Sequence, residues 1–164
     1  MMELYIVRHA WAEPAGDPQW PDEKRPLTAE GRLRFAELVA KLAKRDFSPQ
    51  LIATSPLLRC VETAQIIAEN LPDPPQVVLR GELVPGSNLG GLVEWTVKQM
   101  AHYERIAWVG HAPDVGQMTA ALRGGRDGLI HFGKGAMAAL RFDDRPGRGS
   151  GELRWLLSAK VLGV

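Results

Sequence analysis

The chain has 164 residues, 45% of them apolar, and its 20 lysines and arginines nearly balance its 19 acidic residues. This length suits a single domain over residues 1–164 with a sizeable core. The near balance of positive and negative charges argues against binding nucleic acid or anionic membranes by bulk electrostatic attraction. The lone cysteine, Cys60, excludes a disulfide framework and a thiolate metal cluster, and the absence of a long apolar run or a signal-peptide pattern predicts a cytoplasmic protein.

Short β-branched runs alternate with segments of helical period, which predicts an α/β domain built on a largely parallel sheet. Thr28 is the predicted N-cap of the first helix, and Ser55, followed by Pro56, is the predicted N-cap of the second. In chain order, the predicted elements are a strand at 4–7, a long loop at 11–26, a helix from 29 to about 44, a strand at 51–54, a helix from 56 to about 71, a strand at 77–79, a loop at 82–91, a helix at 92–102, a strand at 106–109, a helix at 113–122, and an edge hairpin at 136–142 and 153–159.

Three strands that are distant in sequence end in polar residues suited to an anion. Arg8 and His9 follow the first strand, Ser55 to Arg59 follow the second, and His111 follows the fourth. Ligands of open α/β sheets bind beyond the carboxyl ends of strands, and helix N-termini add unpaired N–H groups there. We therefore expect Arg8, Arg59, His111 and Ser55 to bind a phosphoryl group beside His9. The alternative for each residue alone is a solvated loop position.

Other chemistries fit these residues less well. Zinc needs three His or carboxylate ligands, and two arginines beside the histidines would repel a cation. A cysteine phosphatase needs an arginine six positions after its cysteine, where Cys60 has Ile66. The Walker-like match at residues 128–134 is followed by Gly135 rather than a hydroxyl residue, and by a strand-like run. The remaining hypothesis is a neutral histidine that attacks phosphorus and forms a phosphohistidine intermediate.

The order of these motifs resembles the histidine phosphatase (phosphoglycerate mutase-like) superfamily over nearly the whole chain. The short length and the Arg-His-Ala sequence at residues 8–10 are most similar to its SixA-type phosphohistidine phosphatases. Ala10 stands where the mutase and acid-phosphatase members usually have glycine, which argues against a sugar-phosphate mutase. The motifs that carry the resemblance are LYIVRHA at 4–10, RPLTAEG at 25–31, TSPLLRCVETA at 54–64, GELVP at 81–85 and VGHAP at 109–113.

The resemblance implies a three-layer α/β/α sandwich around a central, mainly parallel sheet, and neither a cofactor nor a metal. By position, His9 would be the nucleophile that becomes phosphorylated. Arg8 and Arg59 would bind the phosphoryl oxygens, and His111 would donate a hydrogen bond and stabilise charge. Glu82 stands at a place resembling that of the family's general acid, although a solvated glutamate is the alternative reading. Asp114 is a second candidate acid, and SixA-type members are thought to manage with little or no acid.

The leading hypothesis is therefore a phosphatase acting on phosphohistidine in a protein. A small-molecule phosphomonoesterase using Glu82 as general acid is the alternative, and a non-catalytic phosphate-binding module is a third reading. The sequence leaves the oligomeric state open. The remaining aromatic and histidine residues are predicted as follows: Trp11 and Trp20 as candidate walls of the pocket, His131 as a loop residue within reach of it, His102 as exposed, and Trp95, Trp108 and Trp155 as core aromatics.

Overall fold

A six-stranded sheet forms the centre of the computed structural model, which describes residues 1–125 and 130–164. The strand order is β3-β2-β4-β1-β5-β6, with β3, β2, β4 and β1 parallel and β5 and β6 antiparallel to their neighbours. The prediction of a mainly parallel sheet is confirmed. The strands are β1 (Met2–Arg8), β2 (Leu51–Thr54), β3 (Gln76–Leu79), β4 (Arg105–Gly110), β5 (Met137–Phe142) and β6 (Glu152–Leu157).

Four helices cover the two faces of this sheet. Successive side chains of a strand point to opposite faces, so in β1 Tyr5 and Val7 enter one apolar core and Leu4 and Ile6 enter the other. The first core contains side chains of α1 and α2, and the second contains side chains of α3 and α4. The result is the expected three-layer sandwich. The helices are α1 (Ala29–Ala43), α2 (Leu58–Glu69), α3 (Leu89–Gln99) and α4 (Asp114–Arg123).

The helix starts show which capping predictions were sound. Thr28 caps α1 as predicted, because its side chain accepts a hydrogen bond from the backbone N–H of Gly31 at 2.9 Å. The prediction for Ser55 was wrong: α2 begins at Leu58, two residues later than predicted, and the Ser55 hydroxyl is within hydrogen-bond distance of His111. Helix α3 begins at Leu89, three residues earlier than predicted, because the Asn88 side chain caps it.

The predicted C-terminal edge hairpin is confirmed, but its second strand is shorter than predicted. Strand β5 pairs antiparallel with β6, which is the outer strand at that edge of the sheet. After Leu157 the chain turns into a short 3₁₀ helix at Ala159–Leu162 instead of continuing the strand.

Of the three tryptophans predicted to be core residues, only Trp108 is fully buried. Trp95 and Trp155 are half-buried and pack against the rims of the two cores. Gly128, the first glycine of the Walker-like match, lies outside the described residues. Among the described helices, none combines the length and the apolar character needed to cross a membrane.

Candidate active site

The carboxyl ends of β1, β2 and β4 meet at one edge of the sheet and open into a cavity of about 340 Å³. The parallel register places Arg8 beside Gly110, and Thr54 beside Val109, so the residues that follow these strands converge. The cavity brings together the four principal residues predicted for the site. Its lining is Arg8, His9, Ala12, Glu13, Pro14, Ala15, Arg25, Arg59, Pro85, His111, Ala112 and Lys134.

His9 is held as a neutral ring with one free nitrogen. Its Nδ1 lies 2.7 Å from the backbone carbonyl of Ala10, and because a carbonyl only accepts, Nδ1 carries the proton. Burial, together with the charges of His111, Arg59 and Arg8, lowers the pKa of His9 from 6.5 to about 3, although the hydrogen bond to Ala10 opposes the shift. The ring is therefore neutral at pH 7, and its Nε2 keeps a lone pair available to an electrophile.

His111 lies next to His9, with 5.5 Å between the two ring centroids. Burial, followed by the positive charge of Arg59, lowers the pKa of His111 to about 4. Its Nε2 is 2.8 Å from the Ser55 hydroxyl and 3.5 Å from the Cys60 sulfur. Ser55 is not among the residues that line the cavity; its hydroxyl contacts the His111 ring and accepts a hydrogen bond from the backbone N–H of Leu57 at 3.3 Å.

Two arginines face the same space from different elements. Arg8 ends β1, and its Nη1 donates to the Phe132 carbonyl at 2.8 Å. Arg59, in the first turn of α2, is only 4% exposed and donates from Nη1 to the backbone carbonyl of Asp22 at 2.8 Å. The Nε atoms of both arginines are buried and have no hydrogen-bond partner among the described residues. Such donors are suited to an anionic ligand.

Sequence reasoning missed four charged residues at the cavity. Arg25, Lys134 and Glu13 line it, and Asp22 joins Arg25 to Arg59 through its carboxylate. Arg25 and Asp22 lie in the long loop before α1, and Lys134 lies just before β5. Two features of the sequence could have pointed to Arg25 and Asp22: the motif that begins at Arg25, and the unusual length of the loop at residues 11–26.

Glu82 does not line the cavity. Its carboxylate accepts hydrogen bonds from Nε of Arg80, at 3.1 Å, and from Nη2 of the same guanidinium. The hydrogen bonds from Arg80 lower the pKa of Glu82 below its ordinary value. A general acid at neutral pH needs a raised pKa and contact with the leaving group, and this placement supplies neither.

Asp114 is also directed away from the cavity. Its Oδ2 accepts hydrogen bonds from the backbone N–H of Gly86 at 2.8 Å and from the Ser87 hydroxyl at 2.9 Å. These bonds fix the loop that carries Pro85, a lining residue. Asp114 therefore shapes one wall of the cavity from outside.

The two tryptophans predicted as walls of the pocket, Trp11 and Trp20, do not contribute to the lining of the cavity. The Trp11 ring packs under the guanidinium of Arg34, 3.9 Å from its centre, and neither it nor Trp20 lines the cavity. The segment 12–15 of the same loop takes that place. His131 is exposed and outside the lining, and His102 is exposed as predicted.

Thr63 joins the His9 loop to the Arg59 turn. Its buried hydroxyl accepts from the backbone N–H of Ala10 at 3.0 Å and donates to the carbonyl of Arg59 at 2.6 Å. Thr63→Val leaves the buried Ala10 N–H unpaired and is expected to lower the free energy of unfolding by about 1–3 kcal/mol. Urea denaturation measures this change. Thr63→Ser keeps the hydroxyl and serves as control; an equal loss in both variants would contradict the role of the hydrogen bonds.

Burial of two neutral histidines predicts an acid-sensitive fold. Because the pKa of His9 is about 3 in the fold and 6.5 ordinarily, the unfolded chain takes up the proton first as the pH falls. Stability is therefore lost progressively between about pH 6.5 and pH 3. His9→Gln is expected to flatten this dependence in urea titrations, whereas His102→Gln, at an exposed position, is expected to retain it. Identical slopes in the two variants would refute the assignment.

The described part of the chain contains no group of three or more His, Cys, Asp or Glu side chains arranged to hold a metal ion. The charges that surround the cavity are mainly those of arginine and lysine. The donors at this edge of the sheet are therefore suited to binding an oxyanion.

Comparison with known protein sequences shows the family to which the chain belongs. Residues 4–115 match the sequence profile of the histidine phosphatase superfamily (branch 1). An uncharacterized protein of Picosynechococcus sp. is 35% identical over 142 residues, which cover 85% of each chain. The family match identifies the protein as a phosphatase. The chain belongs to the histidine phosphatase superfamily.

Solved structures share the fold at lower identity. The structure of the protein histidine phosphatase SixA complexed with tungstate has a TM-score of 0.85 and 24% identity, covering 98% of this chain and 99% of that one. A mycobacterial glucosyl-3-phosphoglycerate phosphatase in complex with VO3 has a TM-score of 0.71 and 17% identity, covering 94% and 98%. These similarities confirm the phosphoglycerate mutase-like fold predicted from the sequence.

Proposed function

We propose that this phosphatase removes the phosphoryl group from phosphohistidine in a protein, through a covalent phosphohistidine formed on His9. The observation that carries the proposal is the state of the His9 ring. It is neutral, its Nδ1–H is held by the Ala10 carbonyl, and its Nε2 has no hydrogen-bond partner among the described residues, in a cavity that Arg8 and Arg59 also line.

In the first step, the lone pair on Nε2 of His9 attacks phosphorus and forms a P–N bond. The bond between phosphorus and the leaving nitrogen breaks, and that nitrogen keeps the electron pair and takes a proton from solvent. Arg8 and Arg59 bind the equatorial oxygens, where negative charge is spread throughout the transfer. The guanidinium fork matches two oxygens at once, so these residues orient the group as well as neutralise it.

In the second step, water attacks the phosphorylated His9. The new P–O bond forms as the P–N bond breaks, the electron pair returns to Nε2, and inorganic phosphate leaves with the oxygen of water. His111, beside His9, donates a hydrogen bond to a phosphoryl oxygen and stabilises its charge. The contact with Ser55 supports this role because it fixes the orientation of the His111 ring.

The placement of Glu82 supports a phosphohistidine substrate. An alkoxide leaving group needs a proton donor in the transition state, whereas imidazole is a far better leaving group. The carboxylate of Glu82 is paired with Arg80 rather than directed into the cavity. The partner would be a phosphorylated protein, and we propose the cytoplasm as the compartment.

Hydrolysis of a small phosphorylated metabolite is the second candidate. The fold is shared with a mycobacterial glucosyl-3-phosphoglycerate phosphatase and with an Escherichia coli protein assigned as an α-ribazole-5′-P phosphatase, at a TM-score of 0.67 and 20% identity. This reading requires a proton donor, and Glu82 would have to leave Arg80 to become one.

One experiment separates the two candidates. The wild type, Glu82→Gln and the control Glu94→Gln, an exposed glutamate of α3, are assayed on a phosphohistidine protein and on a panel of phosphoesters. We expect phosphohistidine to be the faster substrate, with Glu82→Gln within about twofold of wild type on it. Faster phosphoester hydrolysis, abolished in Glu82→Gln only, would favour the small-molecule reading instead.

A further inference from the structure

The Asp22 carboxylate contacts the guanidinium groups of Arg59 and Arg25, which line the proposed phosphoryl site. Asp22 lies in a short 3₁₀ turn, Asp22–Lys24, in the loop before α1. Its Oδ2 is 3.4 Å from Nη2 of Arg59, and its Oδ1 is 3.0 Å from Nη2 and 3.1 Å from Nε of Arg25. One carboxylate thus bridges two guanidiniums that line the cavity.

The two contacts of Asp22 with Arg59 differ in kind. The backbone carbonyl of Asp22 accepts from Nη1 of Arg59 at 2.8 Å and positions the guanidinium whatever the side chain at residue 22. The carboxylate contact is longer, and the Asp22 side chain is 58% exposed, whereas that of Arg59 is 5% exposed. The carboxylate is therefore the member of the pair that an incoming anion can displace into solvent, while Arg59 stays in place.

We propose that Asp22 is an internal competitor of the phosphoryl group for Arg59 and Arg25, and that it lowers the affinity of the cavity for oxyanions. This inference rests on the proposed function, because it assumes that the oxyanion binds at Arg59. A phosphoryl dianion carries twice the charge of the carboxylate and gains more from the two arginines than the displacement costs. A monoanion exchanges one charge for another and gains little, so Asp22 reserves the cavity for groups with more than one negative charge.

The same competition acts on the product. Inorganic phosphate uses the donors that bound the substrate, and the return of Asp22 to Arg59 and Arg25 favours its departure. Asp22 is therefore a specificity-determining residue that weakens ground-state binding. Its removal is expected to tighten binding, a change that damage to the fold would not produce.

The test measures equilibrium binding of inorganic phosphate at pH 8 by isothermal titration calorimetry. Asp22→Asn keeps the side-chain size and the backbone carbonyl but removes the charge, and Asp22→Ala is a second variant. Glu23→Gln is the matched control, since Glu23 is exposed in the same turn and its replacement changes the net charge equally. We expect both Asp22 variants to bind phosphate about two- to fivefold more tightly, as is typical of losing a partly exposed ion pair, and Glu23→Gln to match wild type.

Several results would overturn the inference. Unchanged or weaker binding in Asp22→Asn and Asp22→Ala would mean that the carboxylate organises the arginines rather than competing with phosphate. Equal tightening in Glu23→Gln would indicate a general effect of charge. Arg59→Ala separates this failure from that of the proposed function: if wild type binds phosphate and Arg59→Ala does not, the oxyanion site stands even when the Asp22 variants show no gain. If wild type binds no phosphate, both proposals fail.

Discussion

Replacing His9 by glutamine is expected to lower kcat by roughly 10⁴-fold or more, the range found when a covalent nucleophile is removed. Glutamine can still fill part of the space under the Ala10 carbonyl, but its amide nitrogen has no lone pair that attacks phosphorus. The arginines remain, so phosphate binding by calorimetry is expected to persist while turnover of a phosphohistidine protein disappears. This split between binding and turnover is the signature of a lost nucleophile.

Two controls accompany the His9 variant. His102→Gln removes a histidine that is exposed and distant from the lining of the cavity, and should retain full activity. Rapid quenching of wild type under alkaline conditions should trap a phosphoryl group on His9, located by mass spectrometry of the digested protein. Turnover by His9→Gln at the wild-type rate, or a phosphoryl group found on His111 instead, would refute His9 as the nucleophile.

Replacing Arg59 by lysine is expected to lower kcat by about 10²-fold, although the charge is retained. Lysine is a point charge on a flexible stem and does not present the forked donors that hold two phosphoryl oxygens in line with Nε2 of His9. Arg59 is also nearly fully buried, so lysine would have to place its ammonium where the guanidinium now contacts the Asp22 carbonyl. Steady-state kinetics on a phosphohistidine protein measure the loss.

The matched control for Arg59→Lys is Arg123→Lys, at an exposed position in the last turn of α4. It makes the same chemical change away from the cavity and should leave kcat within about twofold of wild type. A comparable fall in both variants would mean that the loss at Arg59 does not come from contact with the phosphoryl group. Full activity in Arg59→Lys would show that charge alone suffices.

The fold was predictable wherever a local pattern determined it. The apolar run at residues 4–7 is buried on both faces of the sheet, which is why it lacks polar alternation. The Thr28 cap is a short-range contact that sequence spacing reveals. The start of α2 was not predictable in this way, because the Ser55 hydroxyl bonds to His111, 56 residues further along the chain.

That the four principal residues lie together could be predicted from the sequence, because the ends of neighbouring parallel strands converge. Arg8 ends β1, His9 and His111 directly follow β1 and β4, and Arg59 lies in the first turn of the helix after β2. The role of Glu82 as general acid was implied only by the family resemblance. In the fold, Arg80, two residues away, binds its carboxylate. Asp22 was missed because it lies in a long loop without periodicity, and only the folded chain brings it to Arg59.

The position of β1 in the sheet has a consequence for how the protein is made. This strand is synthesised before the other five strands of the sheet, yet its neighbours are β4 and β5, the latter at Met137–Phe142. The carbonyl of Phe132 orients Arg8, and the N–H of Gly135 donates to the carbonyl of His9 at 3.0 Å. Such long-range pairing is slow to form. During synthesis, therefore, both edges of β1 stay unpaired until β4 and β5 have emerged, and the cavity beyond β1 is completed only after them.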